Sequence, residues 1–361
     1  MKAIFSAILC FVTTMLVYSQ QPQPLPDGPL DAATRSTVIK NLNGELNDGY
    51  IFLDTAKKME TDINERLSAG EYDKITTARA FAEKLTSDLQ AISRDKHLRV
   101  RFSAQPVPIR KDRGEPTDAE KADFADFNKR VNYGFEKVER LQGNIGYLDL
   151  RGFFDPKEGI DTVAAAMTFV SNTDALIFDL RQNGGGDPGM VALICSYLFG
   201  DKAVHLNDLY FRRENKTDEF WTKPIVAGRK FLDKDVYLLT SNRTFSGAEE
   251  FSNNLKTLKR ATIIGETTGG GANPGDSVRL TEHFLVFVPT GRAINPITKT
   301  NWEGTGVEPD VKVPKEQALK TAYIAALLKK LAAAKDDDTK TAFKNLIDQQ
   351  QKELDEIKTK K

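Results

Sequence analysis

The chain contains few of the residues on which disulfides and metal sites depend. Among its 361 residues there are two cysteines and three histidines. Cys10 lies in an N-terminal apolar run, and Cys195 lies in an apolar helical pattern that is typical of a buried core. We therefore expect no internal disulfide. We also expect no metal site, since one built from several histidines would use nearly all of them.

An excess of charge is also absent. The chain has 51 basic and 51 acidic residues, so its formal net charge is zero. Without a basic surplus, nucleic acid is not an expected partner. Residues 265–271 are rich in glycine, but they lack the Lys-Ser/Thr pair of a phosphate-binding Walker loop. Hence no cofactor is implied.

No apolar run reaches the roughly 20 residues that a membrane span needs. Lys2 precedes a shorter apolar run over residues 3–17, and Val17-Tyr18-Ser19 puts small residues at the positions that a signal peptidase prefers. This pattern predicts a secretory signal peptide over residues 1–19 and a periplasmic or extracellular protein. After its removal we expect no integral membrane span. An uncleaved membrane anchor is the alternative.

Hydrophobic periodicity predicts an α/β protein with a helical N-terminal module. A flexible leader over residues 20–30 precedes helical patterns over 31–94, with Asp31 and Thr76 as candidate N-caps. Strands alternating with helices follow, which favours a largely parallel sheet covered by helices. The predicted units are the helical module 31–94, a core over 95–314 with a polar connector over 104–142, and a C-terminal helix over 315–361. Strands are expected at 98–102, 145–150, 175–180, 236–239, 262–264 and 284–288.

Two segments of the core have the features of a nucleophile and its oxyanion hole. The buried strand at 175–180 leads to Gly184-Gly185-Gly186, where backbone N–H groups can face developing negative charge. The strand at 236–239 leads to Ser246-Gly247 at the start of a helix, where the helix dipole favours an anion. A structural reading of Ser246 also exists, because Ser246-Gly247-Ala248-Glu249 matches a helix capping box.

Four motifs in a fixed order resemble the tail-specific, or C-terminal processing, serine peptidases. They are Asp-Leu-Arg-x-Asn-Gly-Gly-Gly from Asp179, Ser-Gly-Ala-Glu-Glu from Ser246, Ile-Gly-Glu-Thr-Thr-Gly-Gly from Ile264, and Glu-Gly-x-Gly-Val-x-Pro-Asp from Glu303. The helical front module and Asp95-x-His97-Leu98 resemble the branch of the interphotoreceptor retinoid-binding protein repeats, to which the tricorn protease core is similar. The resemblance implies a crotonase/ClpP-like β/α spiral core.

The sequence departs from the best-known members of that family in two ways. Gly271 stands where their Ser-Lys dyad has its lysine, and the connector over 104–142 is too short for their PDZ domain. The tricorn-like arrangement instead uses a histidine from the front of the core and a later glutamate. His97 and Glu303 match those positions.

The resemblance therefore implies an exported serine peptidase that acts on a peptide or protein substrate. Ser246 would be the nucleophile, His97 the general base and Glu303 its orienting partner, with an oxyanion hole from Gly185 and Gly247. A rise in rate near pH 6–7 is expected as the histidine loses its proton. The alternatives are a non-catalytic protein that binds a hydrophobic ligand on the same scaffold, and a structural envelope protein with a degenerate site. The sequence does not indicate an oligomeric state.

Overall fold

The computed structural model describes residues 27, 30–109 and 117–359, so the predicted signal peptide and most of the predicted leader lie outside the described residues. The described helices are α1 Ala32–Gly49, α2 Leu53–Ser68, α3 Ala78–Ser93, α4 Asp118–Arg130, α5 Pro156–Val170, α6 Pro188–Ser196, α7 Gly247–Thr257, α8 Lys315–Ala333 and α9 Asp337–Thr359. The described strands are β1 Arg99–Phe102, β2 Phe135–Leu141, β3 Ile145–Leu150, β4 Ala175–Asp179, β5 His205–Phe211, β6 Lys216–Trp221, β7 Asp235–Thr240, β8 Thr262–Gly265, β9 Gly275–Arg279, β10 Phe284–Pro289, β11 Gly291–Ile294 and β12 Val311–Lys312.

A six-stranded sheet forms the centre of the core, in the order β12-β8-β7-β4-β3-β2. All neighbouring pairs are parallel except β2 with β3. Because side chains alternate along a strand, Phe178 packs on one face with α5, α6 and α7, while Ile177 packs on the other face with α8. The predicted α/β class, with N-terminal helices and a mixed-sheet core, is confirmed.

The helices α1, α2 and α3 form a module that covers a second sheet, β1-β10-β9. Leu42 and Phe81 from the helices pack with Val286 of β10 in one cluster of buried side chains. Asp31 caps α1 as predicted, through a 2.7 Å bond from the Thr34 N–H. The cap of α3 is Thr77 and not Thr76. The module thus packs on this sheet through the side chains of its helices, and β1, which follows α3, pairs with β10.

Two predicted segments differ from the structure. The connector over 104–142 carries the expected charged helix, α4, but its last residues form the edge strand β2. The segment expected as one C-terminal helix over 315–361 is two helices, α8 and α9. They separate at Asp336, whose side chain accepts the Thr339 N–H at 2.8 Å and so starts a new helix.

A third sheet, β11-β5-β6, was not predicted, because its strands are short and partly polar. It is joined to β10 through Thr290, which lies between β10 and β11. Within the described part of the chain, none of the helices has the length and apolar character that a membrane crossing needs.

Candidate active site

Ser246 lies on a sharp turn between a buried strand and a helix. The strand β7 ends at Thr240, and α7 begins at Gly247. Ser246 has φ 54° and ψ −123°, a conformation that costs free energy for any residue except glycine. The residue is half-buried, and it precedes the positive end of the α7 dipole. The fold therefore holds a serine in a strained backbone geometry at a helix start.

The glycine triplet that follows β4 lies directly against this turn. The Thr244 hydroxyl donates to the Leu180 carbonyl at 2.7 Å, and the Phe245 N–H donates to the Asn183 carbonyl at 3.1 Å. A Cβ on Gly185 would stand 2.7 Å from Ser246 Cβ, closer than side-chain carbons approach. Only glycine fits between the two loops, so the two predicted segments do come together.

Glycines of both loops lie beside the serine, but the N–H group of one of the two predicted oxyanion donors is already bonded. The Gly185 N–H donates to Asn183 Oδ1 at 2.8 Å. Gly247 is the first residue of α7, where an N–H has no acceptor within the helix. A Cβ on Gly247 would stand 3.0 Å from the Gly186 nitrogen, so the two glycines lie close together. In the described residues neither the Gly186 nor the Gly247 N–H has an acceptor.

The fully buried carboxylate of Glu249 fixes the turn to a third loop. Its Oε2 accepts the N–H of Ser246 at 2.9 Å and the N–H of Gly271 at 2.8 Å. Its Oε1 accepts the Thr268 hydroxyl at 2.5 Å and the Gly270 N–H at 2.6 Å. Burial raises the pKa of Glu249, while these four donors act in the opposite direction. The predicted capping glutamate is thus the connector between Ser246 and the glycine-rich segment.

His97 lies across that glycine-rich segment, just before β1. Its ring centroid is 4.5 Å from the Phe245 ring and 5.7 Å from the Phe287 ring, on which it stacks. Its side chain is 11% exposed. Burial, with a smaller effect of the cationic Arg99, lowers the pKa of His97 to about 4. At neutral pH the ring is therefore uncharged and able to accept a proton.

Two carboxylates accompany the histidine. One ligand atom from each of Asp95, His97 and Glu303 lies within 4.8 Å of the others. Asp95 accepts the His97 backbone N–H at 3.0 Å, and Glu303 Oε2 accepts the Ala272 N–H at 2.5 Å. Burial, together with the nearby charge of Asp95, raises the pKa of Glu303 to about 8. His97 Nδ1 and Glu303 Oε1 are both buried without a hydrogen-bond partner.

This group of three side chains could also hold a metal ion. Catalytic zinc sites use three protein ligands of these types and leave one position open. The Asp95 carboxylate, however, already accepts the Asn273 side-chain N–H at 2.9 Å, and burial raises its pKa. The remaining two histidines lie elsewhere: His205 stacks on Trp221 at 4.1 Å, and His283 Nδ1 is 3.0 Å from the Ser103 carbonyl oxygen.

Comparison with known proteins decides the family. Residues 144–313 match the model of peptidase family S41, and residues 32–133 match the model described as the N-terminal domain of peptidase S41 in eukaryotic IRBP. Together the two models match more than half of the chain. The chain belongs to peptidase family S41. The predicted family resemblance is confirmed by these matches.

Relatives in two organisms carry related names. The chain is 28% identical over 189 residues to the carboxy-terminal-processing protease of Bartonella bacilliformis, which covers 51% of this chain and 42% of that protein. It is 25% identical over 183 residues to the chloroplastic carboxyl-terminal-processing peptidase 1 of Arabidopsis thaliana, covering 50% and 36%. The chain therefore spans about two fifths of the length of these S41 relatives.

Solved structures support the fold. A Parabacteroides merdae protein matches with a TM-score of 0.56 and 20% identity, over 84% of this chain and 99% of that one. A lipoprotein from Streptococcus agalactiae matches with a TM-score of 0.50 and 14% identity, over 80% and 95%. At this identity the likeness concerns the fold alone.

Gly271, where the sequence resemblance predicts that the lysine of a Ser-Lys dyad is missing, has no room for a side chain. A Cβ at this position would stand 2.3 Å from Phe245 Cζ and 2.7 Å from His97 Cε1. The histidine and a phenylalanine thus occupy the space next to this backbone. A lysine does approach the same loop from outside: the exposed Lys96 donates through Nζ to the Gly269 carbonyl at 2.5 Å.

Sequence reasoning missed three contributors to this S41 site. Asp95 appears in the quoted Asp95-x-His97 motif, yet nothing in the pattern separates it from other polar residues. Glu249 was recognised only as a capping residue, and its bonds to Gly270 and Gly271 span more than 20 positions. Phe287 lies on a strand predicted correctly, but its contact with His97 depends on the pairing of β1 with β10.

Proposed function

We propose that this chain is an exported serine peptidase that cleaves peptide bonds through an acyl-enzyme on Ser246. The observation that carries the proposal is the position of Ser246 on a strained turn at a helix start. It lies beside the N–H groups of Gly186 and Gly247, which have no acceptor among the described residues. Family membership supports a peptidase. The neutral, buried His97 supports a histidine base.

The proposed reaction proceeds in two transfers. Ser246 Oγ attacks the scissile carbonyl carbon while a ring nitrogen of His97 takes the hydroxyl proton. The imidazolium then returns that proton to the leaving amine, and the acyl-enzyme forms. A water molecule attacks the ester in the same manner, and the serine is restored. Glu303, which is largely protonated below its pKa of about 8, would orient the ring.

The oxyanion of each tetrahedral intermediate would bind the N–H of Gly247. The second donor is proposed as Gly186, since the Gly185 N–H that the sequence suggested is bonded to Asn183. Gly185 would then serve by its lack of a side chain, which lets the loop approach Ser246. One such donor is typically worth about 2.7–4 kcal/mol in the transition state.

A fluorophosphonate probe tests the proposal directly, because it labels an activated serine whatever the natural substrate is. The wild-type protein should be labelled, and Ser246→Ala should not be. Ser68→Ala, which removes an exposed hydroxyl at the end of α2, is the matched control and should label normally. Equal labelling of folded Ser246→Ala and wild type would refute the assignment.

The proposal includes export of the protein, because residues 1–19 have the pattern of a secretory signal peptide. Mass spectrometry of the protein isolated from its own cells should find a mature N-terminus near Gln20. An intact Met1 in a soluble cytoplasmic fraction would contradict it.

Binding of a hydrophobic ligand is the second candidate, favoured by the match of residues 32–133 to a domain of eukaryotic IRBP. The structure has a groove of about 550 Å³ with Phe211, Leu285 and Val288 in its lining. Arg213 and Asp276 also line it, and these charges suit a wholly apolar ligand poorly. Titration with retinol or a fluorescent fatty acid should therefore show no saturable binding.

A further inference from the structure

Asp95 carries a carboxylate that is almost fully buried two residues before the candidate base. Its side chain is 1% exposed, and its Oδ1 accepts the His97 backbone N–H at 3.0 Å. Its Oδ2 accepts the side-chain N–H of Asn273 at 2.9 Å and the hydroxyl of Tyr50 at 3.4 Å. Burial raises the pKa of Asp95, while these donors favour its ionised form.

The donors to this carboxylate come from separate segments of the chain. Tyr50 directly follows α1 of the helical module, and Asn273 lies just after the glycine-rich residues 265–271. The third donor belongs to the turn that leads into β1. Because the carboxylate is held from three sides, the position of its Oδ1 is fixed relative to the His97 backbone.

This fixed oxygen lies beside the ring nitrogen of His97 that lacks a hydrogen bond. Among the described residues Nδ1 is buried without a partner, and it is 3.9 Å from Asp95 Oδ1. The distance is longer than a hydrogen bond. Catalytic hydrogen bonds are often long without substrate, however, and shorten when the substrate is bound. A small rotation of the ring would close the gap.

In a neutral imidazole one nitrogen carries the proton and the other can accept one, and the neighbouring groups decide which form exists. An ionised carboxylate accepts a hydrogen bond but cannot donate one, so a proton on Nδ1 is favoured beside Asp95. We infer that Asp95 is a positioning residue that selects this tautomer of His97 and so makes Nε2 the general base. The inference rests on the proposed peptidase function and assigns an atom to its proton transfer.

Glu303 is the other carboxyl group beside the ring, and it would act differently. With a pKa of about 8 it is largely protonated at pH 7, so it can donate as well as accept. Its Oε1 is buried and has no partner in the described part of the chain. A proton donated by Glu303 to Nδ1 would leave the ring proton of His97 on Nε2. The tautomer therefore shows which carboxyl group acts on the ring.

Nitrogen-15 NMR of the imidazole rings reads the tautomer directly, because protonated and unprotonated ring nitrogens differ in chemical shift. Full-length protein with isotope in its three histidines is measured at pH 7, where the His97 ring is uncharged. His97→Ala identifies the His97 signals by their loss. We expect the wild-type ring to carry its proton on Nδ1.

Asp95→Asn should reduce the share of this tautomer and slow fluorophosphonate labelling about tenfold or more. The variant keeps the shape of the side chain. Asn273 Oδ1 has no partner among the described residues, so it can accept the new N–H after its amide turns over. The fold should therefore survive, which urea denaturation checks.

Asp88→Asn is the matched control. Asp88 is 6% exposed in the same helical module, and its Oδ2 accepts the Tyr72 hydroxyl at 3.0 Å, so it forms a second buried pair of aspartate and tyrosine. Its Oδ1 accepts Lys84 Nζ and not the turn of His97. This variant should lose stability but keep both the His97 tautomer and the labelling rate of the folded protein.

A wild-type ring with its proton on Nε2 would overturn the inference without any variant. An Asp95→Asn protein that keeps the wild-type tautomer would also overturn it, as would equal slowing of labelling in the folded Asp88→Asn protein. Absence of labelling in wild type would reject the peptidase, whereas the tautomer is read without any reaction. The two proposals can therefore fail separately.

Discussion

The carboxylate of Glu249 accepts the backbone N–H of Ser246 at 2.9 Å. The same oxygen accepts the Gly271 N–H, so one side chain joins the loop of the candidate nucleophile to the loop beside the candidate base. A buried acceptor shared by so many donors is hard to replace, because each donor left without a partner costs about 1–3 kcal/mol.

Glu249→Ala should therefore lower the free energy of unfolding by about 3 kcal/mol and abolish fluorophosphonate labelling. Urea denaturation measures the first effect. The matched control is Glu250→Gln: burial raises the pKa of Glu250 to about 8, so its side chain is already uncharged at pH 7. That variant should lose little stability at this pH. An undiminished stability of Glu249→Ala would show that the donors find other acceptors.

His97→Ala should slow labelling by a factor of about 10² or more. Lys96→Ala, which removes the neighbouring lysine that bonds to Gly269, should label at nearly the wild-type rate. The rate of labelling is measured for both under identical conditions. If the lysine variant is the inactive one, the base is Lys96 and the histidine is structural.

The pH dependence should differ from that of a free imidazole. Because burial lowers the pKa of His97 to about 4, the ring can accept a proton at any pH above that value. The labelling rate should rise through about pH 4, well below the usual 6.5. His97→Ala should lack this rise. A midpoint that stays near 6.5 would mean that the ring is more hydrated than its burial indicates.

Glu303 should make stability depend on pH in a predictable direction. Its folded-state pKa of about 8 lies above the ordinary value of 4.5, so the folded protein binds the proton more tightly. The resulting stability is fully present below pH 4.5 and is lost as the pH rises through 8. Relative to wild type, the Tm of Glu303→Gln should therefore increase between pH 5 and 8.5. A constant difference in Tm would place the ionisation elsewhere.

Gly271→Ala should reduce labelling strongly, because the new methyl group would overlap the Phe245 ring and displace His97. Gly184→Ala is the control in the other glycine-rich loop, where a Cβ would meet nothing within 4 Å. It should keep wild-type labelling. Full activity of Gly271→Ala would show that the ring positions adjust at little cost.

Removal of metal ions tests the trio of Asp95, His97 and Glu303. Dialysis against a chelator should leave labelling unchanged, since the proposed mechanism uses the free ring nitrogen. Excess Zn²⁺ should inhibit, because it would occupy that nitrogen. Loss of labelling in chelator, restored by zinc, would favour metal-dependent chemistry.

Local patterns were enough to predict most of the elements near the site. The strands ending at Asp179 and Thr240 are continuous apolar runs, and the glycines and Ser246 follow them directly, so both loops could be placed at one sheet edge. Alternation over residues 98–102 also predicted β1, and residues 284–288 were a strand candidate that corresponds to β10. These features depend on residues close together in the sequence.

What could not be predicted depends on contacts between distant segments. The Gly185 N–H is taken by an Asn183 oxygen only two residues away, but this bond requires a loop conformation that no pattern specifies. The pKa of His97 depends on burial between Phe245 and Phe287, which come from two different segments. Strands such as β6 are polar and edge-exposed, so they lack the apolar alternation by which a strand is recognised.

The candidate base His97 and the candidate nucleophile Ser246 are flanked by residues of two different hydrophobic clusters. Leu98 and Val100, next to His97, pack into the cluster of the helical module, whereas Ala248 and Phe251, next to Ser246, pack into the cluster of the central sheet. Partial unfolding of the first cluster would withdraw the base and leave the serine in place. Fluorophosphonate labelling would then show whether the helical module is packed on the central sheet. Labelling should disappear at a lower urea concentration than the one at which the central sheet unfolds.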